Sequence, residues 1–393
     1  MRCRAIRSKR KSSVIVPPRG TDSKRNKKLP RELLFVLCIA RIENSEKGFR
    51  VMTVTKRSVL AGLTATILTV GAAQQGLAQE TITWRVQTGW LPGNDLYDSV
   101  LEMAERVETQ TAGRLKIEVL PAGAVVALSQ TLDSVRIGIV DGHISYPSVY
   151  AGIDPGFAPL GDIPGAYDDR FQTVEFMYFA GGLDLVREAY AEQGLFTIGV
   201  GTGSWEAVPS RVPLESWSDF EGVKLRTPPG MGSLIWERFG AVPIVMPQTE
   251  VFSALEKGVI DAADDGSLSY NASVGDYDIV NYTLANSPHS NGIWDFSVNA
   301  DRWAELPADI QSVLETNMRD VMVRNVMNAM RGDREVMKKV DEIGLTVFDL
   351  SPEDRAAYRE VAIEVWDEWA EKSPLAKKVI EAHKAFLTDQ GLL

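Results

Sequence analysis

Apolar and polar residues alternate at period two over 81–87, where Ile82, Trp84 and Val86 share one side, which predicts a strand half-buried on one face. From 97 the period lengthens: Leu101, Ala104 and Val107 recur at helical spacing until Ala112-Gly113, where the predicted helix stops. Leu115, Ile117 and Val119 alternate as a second strand before Pro121, and a helical 128–137 and a strand-like 142–145 repeat the unit. This βαβα opening predicts a parallel or mixed sheet covered by helices.

The middle of the chain repeats the pattern. It predicts strands at 196–201, 223–226, 242–245 and 259–262, and helices at 231–239 and 248–257. Beyond Pro307 the pattern changes to long amphipathic helices, with Ile310, Val313/Leu314, Val321, Met327 and Met330 as one apolar stripe. Ser351-Pro352-Glu353-Asp354 reads as an N-cap followed by proline at the first helical position, opening a helix through Trp369. Two α/β lobes from one chain, followed by helices, suit a protein that binds in a cleft. Many α/β enzymes share the pattern, so the sites have to decide.

Charge alters the picture once the chain is divided. Residues 1–78 hold 17 basic and four acidic side chains, leaving 315 residues with 25 basic, 49 acidic and a formal charge of −24. A body this acidic repels phosphate backbones, so nucleic acid is not an expected partner. Within the basic segment, Lys56 and Arg57 precede an uncharged apolar run over 58–73, and Gly76 and Ala78 stand at the −3 and −1 positions of a cleavage site. We read 52–78 as a cleavable signal peptide with a mature start near Gln79, and therefore expect export to the periplasm. Met52 sits just before this signal, which marks 1–51 as an over-extended, disordered gene start. Cys3 and Cys38 both precede the signal, so the exported chain carries no disulfide.

Catalytic motifs are sparse. The chain lacks G-x-x-x-x-G-K-[ST], G-x-S-x-G, H-E-x-x-H and C-x-x-C. Gly199-Val200-Gly201-Thr202-Gly203 lacks dinucleotide-binding spacing and reads as a tight strand exit. Asp264-Asp265-Gly266 admits two readings: a solvated turn, or a site that receives substrate hydroxyls or a cation. As neighbours after a strand, the two carboxylates would diverge, so they do not by themselves form a general acid/base couple. Arg226, entering Thr227-Pro228-Pro229-Gly230, could direct its guanidinium fork at a carboxylate, or could form a surface ion pair. Trp90, Tyr146, Tyr150 and Trp205 stand near strand ends as core or cleft-wall aromatics.

A further set of segments runs through the chain in order: Ala112-Gly113-Arg114-Leu115-Lys116-Ile117, Tyr150-Ala151-Gly152-Ile153-Asp154-Pro155 and Gly181-Gly182-Leu183-Asp184. They continue with Asp219-Phe220-Glu221-Gly222-Val223-Lys224-Leu225-Arg226, then Gly258-Val259-Ile260-Asp261-Ala262, Val298-Asn299, Trp303 and Leu306-Pro307. In their order and spacing, residues 81 to about 387 resemble the solute-binding proteins of tripartite ATP-independent periplasmic (TRAP) transporters, the DctP-like family. The branch most similar is that of α-keto acid and related monocarboxylate binders.

The resemblance implies a periplasmic-binding-protein-like α/β fold, with two lobes around a ligand cleft and long C-terminal helices. Residues 79–202 plus about 292–350 are expected as lobe 1, 203–291 as lobe 2, and 351–393 as helices packing across both. It also implies a capture module without enzymatic activity, which delivers a small organic acid to integral-membrane TRAP subunits. The arginine of the family's K-x-R motif, which clamps a substrate carboxylate, is here Arg226. Where the branch has a Glu-Trp pair that helps hold a metal ion, this chain has Asp264-Asp265; a branch glutamine falls on or near Trp205 and a glutamate near His289. The expected binding set is Arg226, Trp90, Tyr146, Trp205, Asp264, Asp265 and His289. No cofactor is expected, and a substrate-associated cation would have Asp264 and Asp265 as its candidate ligands. Two aspartates suit a substrate with several hydroxyls, such as a sugar acid.

Rival readings are a binding protein for an ATP-driven importer or a sensor, and a secreted hydrolase or lyase using Asp264 and Asp265. Val361, Val365, Trp366 and Trp369 could pack on the protein's own lobes or on a second subunit; packing within a monomer is expected.

Overall fold

A computed structural model of the chain describes residues 81–203, 205–285, 287 and 292–393. The expected gene start over 1–51, the signal peptide over 52–78, both cysteines and His289 lie outside the described residues.

Two sheets organise residues 81–393. The first has the order β2-β1-β3-β10-β4, with β1 Ile82–Thr88, β2 Leu115–Leu120, β3 Gly142–Ser145, β4 Leu195–Thr202 and β10 Ile293–Asn299. β1 pairs in parallel with β2 (Trp84 opposite Ile117) and with β3, whereas β10 runs antiparallel between β3 and β4. The second has the order β11-β9-β5-β8-β6-β7, with β5 Val208–Ser210, β6 Lys224–Thr227, β7 Val242–Val245, β8 Ala262–Ala263, β9 Tyr282–Ala285 and β11 Thr346–Asp349. One assignment needs correction. β11 falls inside the 292–350 stretch expected in lobe 1, yet it pairs in parallel with β9 (Thr346 opposite Tyr282) and closes the edge of the second sheet.

Each sheet is packed on both faces. Trp84, Val100, Met103, Ile117, Trp294 and Phe296 fill one side of the first sheet, and Tyr150, Phe157, Phe176, Tyr190 and Val200 the other. Around the second sheet, Phe220, Leu225, Trp236, Tyr358 and Trp366 form one core and Leu255, Ile260, Tyr277 and Val280 the opposite one. Each fully buried large apolar side chain contributes on the order of 2 kcal/mol.

Helix α1 (Asp95–Gln110) follows β1, with Asn94 accepting the Leu96 amide as its cap. The 30-residue helix α2 (Ala308–Met337) is about 45 Å long and serves both lobes. Met318 packs on Gly199 of β4, while Asp333 reaches Ser269 near the second sheet. Its buried stripe runs Ile310, Leu314, Met318, Val321/Met322 and Asn325/Val326. Met327, expected on that stripe, is 47% exposed. Continuing the 3.6-residue period from Val321 leads to Asn325 and Asn328, polar residues that meet a cavity rather than core.

The last two helices, α3 (Pro352–Ala370) and α4 (Pro374–Asp389), start with Ser351 and Ser373 as side-chain caps and proline at the first turn. Val365 and Trp366 are fully buried, the Trp366 indole donates to the Pro164 carbonyl (3.0 Å), and Trp369 donates to Pro155 (2.9 Å). Val379 and Phe386 of α4 join a core of the first sheet, and Ile380 and Leu387 a core of the second.

The glycines of β4 have a different cause from the strand exit expected of them. None of Gly199, Gly201 and Gly203 adopts positive φ. A Cβ on Gly201 would lie 2.1 Å from the Trp294 ring, and one on Gly199 would lie 2.7 Å from Met318. Close packing across the strand excludes side chains there.

Candidate functional site

Strand β6 alternates Leu225 into the core and Arg226 toward the opposite face. Its parallel neighbour β8 places Ala263 opposite Arg226, so Asp264-Asp265-Gly266 leaves the sheet alongside the arginine. The Arg226 side chain is 6% exposed; Nε donates to the Met246 carbonyl (3.1 Å) and Nη1 to the Asp264 carbonyl. Asp265 is 2% exposed, with Oδ1 lying 3.5 Å from Arg226 Nη1 and accepting from Gln248 Nε2 at 2.7 Å.

The adjacent carboxylates diverge, as their spacing requires. Asp264 turns into the core, where Oδ2 accepts the Trp236 indole N–H at 3.0 Å. Both are buried, which removes the solvated-turn reading. Burial pushes the Asp265 carboxyl up to about 6, against the opposing pull of Arg226 and the Gln248 hydrogen bond.

A cavity of about 680 Å³ opens between the lobes. Trp90 and Tyr146 line it from the first sheet, Gln248, Gly266 and Tyr270 from the second, and Asn325 from α2. Trp90 Nε1 donates to the Tyr146 hydroxyl at 2.8 Å, and its ring meets Tyr146 and Trp294 edge-on at 5.8 and 5.5 Å. Burial raises the Tyr146 hydroxyl far above the ordinary tyrosine range, so it stays protonated. Together these groups make a wall with an apolar floor, several hydroxyl and amide groups, and one buried guanidinium behind Gln248.

The structure brings some expected residues together and separates others. Trp90 and Tyr146 line the cavity, and Arg226 and Asp265 meet behind its Gln248 wall. Asp264 is part of the core beneath. Trp205 is not among the lining residues; its ring centre lies 5.8 Å from the Arg170 guanidinium and 5.9 Å from that of Arg355. Its neighbour Glu206 lines the cavity. His289 lies outside the described residues. Sequence reasoning missed Gln248, Tyr270, Asn325 and Asn328. The two asparagines had a readable signal, since they interrupt the apolar stripe of α2.

Asp264 and Asp265, the candidate ligands of a substrate-associated cation, do not converge on one point. The two aspartate carboxylates point apart, one to Trp236 and the other to Gln248, and the Arg226 guanidinium already stands beside Asp265. Among the described residues, no three His, Cys, Asp or Glu side chains gather as a metal-binding group.

Comparison with known proteins gives a consistent picture. The family described as "Bacterial extracellular solute-binding protein, family 7" matches residues 87–373. A crystal structure of a TRAP periplasmic solute-binding protein from Rhodobacter sphaeroides, in an apo open state, is 33% identical, covers 79% of this chain and 99% of that one, and gives a TM-score of 0.69. A TRAP transporter solute-binding protein from Bordetella bronchiseptica, solved as a mixed-occupancy dimer with calcium and picolinate, is 25% identical over 79% of this chain and 93% of that one, with a TM-score of 0.70. A monocarboxylate 2-oxoacid-binding periplasmic protein from Nostoc is 29% identical over 331 residues, 80% of this chain and 86% of that one.

Proposed function

The chain belongs to family 7 of the bacterial extracellular solute-binding proteins, and from that premise we propose that it is a periplasmic receptor that captures a small organic acid and delivers it to TRAP membrane subunits. Arg226 carries this reading. It is a nearly buried guanidinium at the C-terminal end of a strand, behind the wall of the inter-lobe cavity, and its Nη2 makes no hydrogen bond to any described residue. A carboxylate brought to that atom gains a charge-assisted bond in surroundings with little water, where such a bond is strongest. The names of the relatives support the same chemistry, since one is a 2-oxoacid binder and another holds picolinate.

Capture rather than turnover is the role of the site. Asp264 and Asp265, the couple that a hydrolase would use, point to different partners and share no reacting centre. Export by cleavage after Ala78 belongs to the same reading, and N-terminal sequencing of the exported protein should begin at Gln79.

The binding test is a thermal-shift and calorimetric screen of the exported protein against keto acids, hydroxy acids, dicarboxylates and sugar acids. A ligand at 100 times its dissociation constant stabilises the native state by about 2.7 kcal/mol. At least one acid should do so, and Arg226→Lys, which keeps the charge and loses the planar fork, should weaken it by about tenfold or more. Unchanged affinity in Arg226→Lys, with an unchanged apo melt, would refute carboxylate capture at this residue.

A further inference from the structure

Arg226 and Asp265 each leave one polar atom unengaged. The Nε and Nη1 atoms of Arg226 are bonded to the Met246 and Asp264 carbonyls, and Oδ1 of Asp265 takes the Gln248 amide. Nη2 and Oδ2 have no hydrogen-bond partner among the described residues. Both side chains are more than nine-tenths buried, and their nearest charged atoms are 3.5 Å apart. The site therefore offers a free cationic donor beside a free anionic acceptor.

A plain carboxylate placed on Nη2 would stand next to the Asp265 carboxylate, two like charges in a poorly hydrated corner. A ligand hydroxyl could donate to Oδ2 but would leave that repulsion in place. A protonated amine one carbon from the carboxylate offsets it and donates to the free oxygen. Resting on the reading that Arg226 takes the ligand carboxylate, we propose that the ligand is a small zwitterion whose ammonium group, adjacent to that carboxylate, is received by Asp265 Oδ2.

Two further observations agree. Burial holds the Asp265 carboxyl high although Arg226 and Gln248 pull it down, so one guanidinium does not supply all the counter-charge it needs. The cavity wall as a whole is acidic, with Asp95, Asp98, Glu102, Glu206 and Glu335 against the single base Arg331. A wall of that sign attracts a cationic group and disfavours a second carboxylate.

The experiment is isothermal titration of the exported full chain with pairs that differ only by amine for hydroxyl: D-glucosaminate against D-gluconate, and L-alanine against L-lactate. The amine member should bind about tenfold tighter or more in any pair that binds. Asp265→Asn should shrink that ratio to about threefold or less while plain acids still bind. A hydroxy acid binding as tightly as its amine partner overturns the inference and leaves carboxylate capture intact. So does silence from every amine-bearing probe. L-alaninamide, which lacks the carboxylate, binding as tightly as L-alanine would instead refute the reading of Arg226. The wild-type ratios decide the matter even if Asp265→Asn fails to fold.

Discussion

Replacing Asp276 by Asn changes one atom in a side chain that is fully buried, with neither carboxylate oxygen hydrogen-bonded to any described residue. The residue follows Gly275 in the left-handed region and opens a 3-10 turn over Asp276–Asp278, where its backbone carbonyl accepts the Ile279 and Val280 amides. Burial, with a smaller push from the charge of Asp265, raises its carboxyl from 3.8 to about 7. A rise of that size corresponds to roughly 4 kcal/mol against the folded state once both folded and unfolded chains are ionised.

The direction comes from proton counts. Between about pH 4 and pH 7 the native state keeps this proton and the unfolded chain has lost it, so stability falls as pH rises. Below pH 4 both states hold the proton, and above pH 7 the penalty is complete. A minor part of the penalty is expressed by pH 5 and nearly all of it by pH 8. Asn never titrates, so the advantage of Asp276→Asn over the parent should grow by roughly 2–3 kcal/mol between those two pH values. Urea unfolding followed by tryptophan fluorescence, for both proteins at pH 5 and pH 8, measures this directly. An advantage that does not change with pH, or a parent that is the more stable protein at pH 8, would refute the reasoning, because the ionised carboxylate would then have a stabilising partner.

Two further perturbations test the frame around the cleft. Gly201→Ala drives a Cβ to 2.1 Å from the fully buried Trp294 ring and should cost about 3 kcal/mol; a melting temperature within a degree of the parent would show that the ring yields freely. Asp333→Ala removes the acceptor of Arg170 (3.0 Å) and of the Ser269 amide and hydroxyl (3.0 Å each), a join between α2 and the second lobe that should be worth about 3 kcal/mol in denaturant unfolding; a loss below about 0.5 kcal/mol would mean that water replaces it without penalty.

Local pattern carried the elements that bury one regular face. The alternation of Ile82, Trp84 and Val86 and the helical spacing of Ala104 and Val107 predicted β1 and α1 because each obeys a single period, although Leu101, expected on the α1 stripe, is exposed and Val100 and Met103 fill the buried face instead. Pattern did not carry what depends on distant partners. β10 alternates Trp294, Phe296 and Val298 with Asp295, Ser297 and Asn299, and nothing within it shows that it crosses antiparallel between β3 and β4. The 346–349 segment is equally silent about the edge it completes. Trp205 reads as a cleft-wall aromatic, yet its ring has guanidinium neighbours in Arg170 and Arg355, the latter 150 residues away. The glycines of β4 were visible, but the rings and side chains that demand them come from β10 and α2.

The cleft itself was legible where it broke a rule. Asn325 and Asn328 occupy positions that the period of α2 assigns to apolar residues, and such a break on an otherwise regular stripe marks the point where a helix leaves core for a cavity. Arg226 and Asp264-Asp265 were also visible, each as a charged motif closing a strand, but only as separate motifs 38 residues apart. The parallel register that sets Arg226 beside Ala263 is the link between them. Parallel neighbours end on the same side of a sheet, so the loops leaving their carboxyl ends converge there, where open α/β sheets bind ligands. With β6 ending one residue after Arg226 and β8 ending at Ala263, the next two residues of the β8 segment come beside the guanidinium. Chain direction then sends Asp264 into the core and Asp265 to the arginine. A motif pair of this kind can be read from sequence only after strand order is known, because order turns two ordinary strand ends into one charged site.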